Sequence, residues 1–123
     1  MIVSAGLNVC YICHSDIEHI DDLDVASYDR HALRLHKHAR ASLFEWCEAC
    51  LFAHEKVRVK VEEGGKGFGQ DKATAVGSSR VLRCEGRPGA MAKNRFGLPA
   101  EVQMDSEFKF VEVLRSHLFE GAE

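Results

Sequence analysis

The chain has 123 residues, 46% of them hydrophobic and 28% charged, and a formal net charge of −3. This is the composition of an ordinary globular protein of about one domain, which excludes collagen-like and low-complexity classes. No apolar run is long enough to span a bilayer, and Met1 to Leu7 lack a basic, signal-like start, so a cytoplasmic protein with no membrane partner is expected.

Residues 1–13 read as a short strand and a turn, with Val3, Leu7, Val9, Tyr11 and Ile12 as strand formers broken by Gly6 and Asn8. Residues 14–24 are polar and acidic and read as a loop or a first helical turn. From Ser27 to Lys56 there is no Gly and no Pro, and Ala32, Leu35, Ala39, Leu43, Trp46 and Cys50 recur near helical spacing, which predicts one long helix or two abutting ones. Val57 to Glu62 alternates strictly between valine and charge and predicts a strand with one solvated face.

Gly64 to Gly69 predicts a flexible hairpin tip, and residues 72–79 are indistinct. Arg80 to Cys84 predicts a strand, 86–99 a basic irregular loop, and Ala100 to Met104 a short strand. Between Asp105 and Glu120, length favours a helix, with Ser106 as N-cap and Gly121 beyond its end. The expected fold is therefore α+β, with one long helix packed on a small antiparallel sheet. The expected organisation is a single domain over 1–123, divided into a metal-binding part with the long helix (1–56) and a β-rich part with a C-terminal helix (57–123).

Charge is segregated along this order. Residues 1–29 hold six acids and no Lys or Arg, residues 30–100 hold fourteen bases against seven acids, and residues 101–123 hold six acids and two bases. The simplest expectation is mutual neutralisation within the fold. The sharper one is a basic face for nucleic acid beside an acidic face for a different contact.

Four of the five cysteines form two Cys-x-x-Cys pairs, Cys10 with Cys13 and Cys47 with Cys50. Four thiolates satisfy a tetrahedral zinc ion, and a two-residue gap lets one turn aim two sulfurs at one point. Paired cysteines in a reducing compartment are more often metal ligands or redox groups than disulfides. The leading expectation is a structural zinc site made by Cys10, Cys13, Cys47 and Cys50, tying the N-terminal segment to the helix. His14 and His54 are alternative ligands, His54 because it lies one helical turn beyond Cys50. Buried core thiols are the bland alternative, because Cys47 and Cys50 also fit the apolar stripe. A redox pair would need a Cys-x-x-Cys at a helix N-terminus, and a c-type haem at Cys10 to His14 would need export.

Arg30, Arg34, Lys37 and Arg40 step by three or four residues, so on one helix they would form a stripe. With Arg87, Lys93 and Arg95 they are the expected polyanion contacts, set against the simpler reading of a solvated helix face. The glycine loop fails both the P-loop and the dinucleotide pattern, and the acidic run lacks EF-hand spacing.

The order Cys-x-x-Cys, Asp29-Arg30-His31, then Cys47-x-x-Cys50 with His54 resembles zinc-bearing HNH nucleases over roughly a third of the chain. In that family two Cys pairs hold zinc around a catalytic histidine that follows a first strand, and the resemblance implies His31 for that role. The chain departs from the pattern where Leu51, not Asn or His, follows Cys50, and where a continuous helix replaces the family's hairpin. The leading expectation remains a non-enzymatic, zinc-stabilised binding or regulatory protein, an adaptor or inhibitor of the kind phages and mobile elements encode. The alternatives are a nucleic-acid-binding protein, a divergent HNH-like metal nuclease and a thiol redox protein.

Overall fold

The computed structural model describes residues 3–62, 72–104, 107 and 109–119. They divide into two compact units, residues 1–46 with 88–91, and residues 47–87 with 92–123. The unit boundary falls between Trp46 and Cys47.

In the first unit, a 3₁₀ turn at Val3–Ala5 precedes an irregular stretch that carries Cys10 and Cys13. An antiparallel hairpin follows, made of β1 (Ser15–Ile20) and β2 (Tyr28–Leu33), with Ser15 opposite Leu33 and Ile20 opposite Tyr28. A helix, α1 (Lys37–Trp46), closes the unit. His31 makes a parallel bridge to Ala90, its N–H donating to the Gly89 carbonyl at 3.0 Å and its carbonyl accepting from Met91 N–H at 2.8 Å.

The long helix over 27–56 is therefore overturned, and with it the α+β fold built on one long helix against a small sheet. The absence of Gly and Pro permits a helix but does not compel one, because propensity yields to pairing. Tyr28, Arg30 and Ala32 are covered while Asp29 and His31 are exposed, a period of two that answers β1 across the hairpin. Residues 14–24 likewise hold a strand rather than a loop or helical turn, and no strand forms at 3–13. Only Lys37–Trp46 keeps a helical period, in Arg40, Leu43 and Phe44.

The second unit begins with β3 (Ala49–Cys50), paired with β6 (Lys93–Asn94). A long antiparallel ribbon pairs β4 (Phe52–Glu62) with β5 (Lys72–Arg83), and β7 (Glu101–Gln103) adds to the far side of β5 at Val81 to Arg83 only. The order β4-β5-β7 leaves β4 at an edge. A bulge interrupts β5: Arg58 faces Gly77 and Val59 faces Ala75, so Val76 is the extra residue. The valine alternation expected at 57–62 is a strand that starts five residues earlier. The expected strands at 80–84 and 100–104 belong to β5 and β7. The glycine loop at 64–69, Ser106 and Gly121 lie outside the described residues.

Leu82, Cys84 and Leu98 form the core of this unit, packed by Leu51, Phe96, Val102, Met104, and Phe110 and Val113 of α2 (Phe110–Phe119). Glu101 joins β7 to the ribbon through Lys56 at 3.1 Å and Arg83 at 3.2 Å. Hydrogen bonds from Lys56 and then Arg83 hold the Glu101 carboxyl below its ordinary pKa. That contribution is present above the ordinary carboxylate value and is lost as pH falls through the lowered one.

The segment from Cys84 to Leu98 folds tightly. A Cβ on Gly86 would stand 2.8 Å from the Ala92 carbonyl oxygen. Gly86→Ala forces backbone apart and should cost about 1–3 kcal/mol in a urea or thermal melt. Unchanged stability would contradict the close approach.

Candidate functional site

The cysteines are the first residues to place. None of the five is in a disulfide; Cys10 is exposed, Cys13 and Cys47 are half-buried, and Cys50 and Cys84 are buried. Cys10 and Cys13 sit in backbone free of helix and strand, as a metal knuckle needs. Cys13 Sγ lies 3.3 Å from the His14 carbonyl and 3.9 Å from that of Arg34, while the Arg34 N–H donates to the His14 carbonyl at 2.9 Å. Cys13 is thereby held against the connection from β2 to α1.

Cys47 directly follows the last residue of α1, and Cys50 ends β3. The second pair thus spans a helix-to-strand turn, not one turn of a helix. This corrects the expected relation to His54, which lies in β4, beyond Cys50 along extended backbone. Four residues of strand cover roughly 13 Å, compared with about 6 Å for one helical turn. His54 stacks on Phe52 with ring centres 5.0 Å apart, and its Nε2 is buried without a hydrogen bond among the described residues. His14 has an exposed side chain. Among the described residues no group of three or more His, Cys, Asp and Glu is arranged to hold a metal.

Cys84 behaves differently from the pairs. Burial pushes its thiol pKa up, and its Sγ lies 3.7 Å from the Leu82 carbonyl, so it is a core residue and a poor nucleophile. It borders a pocket of about 310 Å³ with Glu85, Gly86, Lys93, Asn94 and Leu98. Asn94 spends both ends of its amide on the adjoining turn, donating to the Leu98 carbonyl at 2.9 Å and accepting from Phe96 N–H at 2.8 Å.

The expected basic stripe does not exist as one helix face, because Arg30 lies in β2, Arg34 in the following turn, and Lys37 and Arg40 in α1. Arg30 and Arg40 converge on Glu18 of β1 at 3.0 and 2.8 Å, and Arg40 also donates to the Leu35 carbonyl at 3.2 Å. These two cations brace hairpin to helix. Arg34, Lys37 and Arg87 are exposed. Lys93 is half-buried in β6, and Arg95 pairs with Glu48 at 3.3 Å.

Sequence reasoning missed an exposed histidine, His19, set between two aspartates at the hairpin end. Asp29, opposite His19 across the strands, receives its Nδ1 at 2.8 Å; Asp21 lies 3.4 Å from Nε2 and accepts from Ser27 at 3.0 Å. The cross-strand register that makes it was hidden while 27–56 read as helix. A further feature is the ribbon beyond β7, where Val57, Val59, Val61 and Val76 each keep at least 52% of their surface in water. Asp29, Arg30 and His31 lie in the second strand of a hairpin, not in the continuous helix expected there.

No protein-family profile, curated protein or solved structure matches this chain. Among the described residues no helix is long and apolar enough to cross a membrane.

The Asp29 hydrogen bond leads the forces that raise the His19 pKa above 6.5. The imidazolium contacts are complete below that ordinary value and are lost as pH rises through the raised one. An NMR titration should place the His19 midpoint above its ordinary value, and Asp29→Asn should return it most of the way. A midpoint unmoved by that substitution would contradict the pairing.

Proposed function

We propose that the chain is a zinc-stabilised, non-enzymatic binding protein that acts as an adaptor or inhibitor through a protein partner. The observation that carries this reading is that the described residues include more exposed large apolar side chains than buried ones. Among the described residues the branched aliphatics below a tenth exposed are Val81, Leu82 and Leu98. Ile12 and Leu23 are essentially fully exposed, and the four ribbon valines are half exposed or more. The alternate valines of β4 share one face, and exposed apolar rows of this kind, unlike singly exposed residues, mark interaction sites.

A thin core also needs a supplementary staple, and two Cys-x-x-Cys pairs are the donor set a structural zinc ion uses. Zinc would supply folding free energy and no chemistry, with Cys10, Cys13, Cys47 and Cys50 as its thiolates. Of the basic residues, Arg30, Arg40, Arg83 and Arg95 are engaged by carboxylates of the chain itself, which reduces what they could offer a polyanion.

Cys10→Ser and Cys47→Ser should each lower zinc content and melting temperature together, measured on the same preparations. A melting temperature that a strong chelator leaves unchanged would sink the structural-zinc reading. DNA cleavage by the metal-loaded chain, lost in folded His31→Ala, would transfer support to a nuclease.

A further inference from the structure

The β4–β5 ribbon is unfinished as a sheet. β7 pairs with β5 only at Val81 to Arg83, so from Val57 to Glu62 the ribbon is two-stranded among the described residues. A two-stranded ribbon is marginal in water unless a third strand or another element covers it. Its two edges differ. The bulge at Val76 and the adjoining Gly77 break the regular edge of β5. β4 runs without a bulge and forms the edge of the sheet.

The faces of β4 differ as well. Val57, Val59 and Val61 lie on one face, opposite Ser78, Ala75 and Ala73; Arg58 and Lys60 lie on the other, opposite Gly77 and Thr74, beyond Lys56, which Glu101 already engages at 3.1 Å. Both faces are exposed. An incoming strand would therefore meet a row of valines on one side and the cations Arg58 and Lys60 on the other.

We infer that the edge of β4 accepts an extended protein segment in which acidic and branched apolar residues alternate, adding a strand to the sheet. This rests on the binding-protein reading above and names its partner's chemistry. Main-chain hydrogen bonds supply the docking and the alternating rows supply the register. Two other occupants fit less well. A second copy paired antiparallel about Val57, Arg58 or Val59 sets cation against cation in each case, for example Arg58 against Lys60 about Val59, and like charges directly opposed destabilise a sheet. A nucleic acid would engage the basic row and leave the valines in water.

The test uses the folded, full-length chain, with zinc measured on the same sample, and a labelled peptide of about seven residues alternating glutamate and valine, long enough for one strand. Fluorescence anisotropy should show saturable one-to-one binding that weakens with salt. Arg58→Glu with Lys60→Glu should weaken it at least about tenfold and create binding to a lysine–valine peptide of the same pattern. Failure of the folded chain to bind overturns the ribbon inference whatever the zinc content. Binding without zinc supports it and removes the metal reading alone. Equal binding of a peptide with its glutamates and valines in separate blocks overturns it as unspecific attraction. Tighter binding of oligo-dT, lost in the same double variant, overturns it in favour of nucleic acid.

Discussion

The pairing of β4 with β5 is the interaction on which the second unit depends. It places Val81 and Leu82 next to each other on β5, where both are buried although they point to opposite faces. Leu82 leads into Cys84 and Leu98, against which α2 packs Phe110 and Val113. The same ladder runs on past its own core. Where β7 stops, the ribbon has no third strand among the described residues; its two faces, both covered at Val81 and Leu82, are exposed there, and the alternation separates valine from cation. Structural and display functions thus share one pair of strands.

The first unit relies on a different device. Among the described residues its buried apolar side chains are Ala32 and Ala90, too small to hold a hairpin and a helix by area alone. Glu18 does part of that work by taking Arg30 from the neighbouring strand and Arg40 from α1. Such a partly covered three-membered ion cluster specifies geometry more than it adds stability. Among the described residues few aliphatic side chains are wholly buried, which is the shortage the proposed zinc staple would offset.

The legible parts of the sequence were those where side-chain period and local pairing agree. Val57 to Glu62 alternates over six residues and lies in a strand; after Asp105 the apolar spacing fits strand and helix alike, and length favours the helix that forms over Phe110–Phe119. The segment 27–36 was illegible because its residues tolerate a helix and its strand character comes from Ser15–Ile20 across the hairpin. That error propagated. It made a stripe of Arg30, Arg34, Lys37 and Arg40, put Cys47, Cys50 and His54 on one helical face, and concealed the His19–Asp29 pair. The cysteine pairs themselves were visible from their spacing, but the turn or strand that carries each was not, and thiol chemistry depends on that element.

The central claim is that the paired cysteines hold zinc and so maintain a fold that displays its apolar surface. The most direct measurement is elemental analysis of untagged protein combined with thiol titration under native conditions. The account predicts about one zinc per chain, with Cys10, Cys13, Cys47 and Cys50 protected until a chelator is added. A metal-free, fully folded chain whose paired cysteines react at once would contradict it.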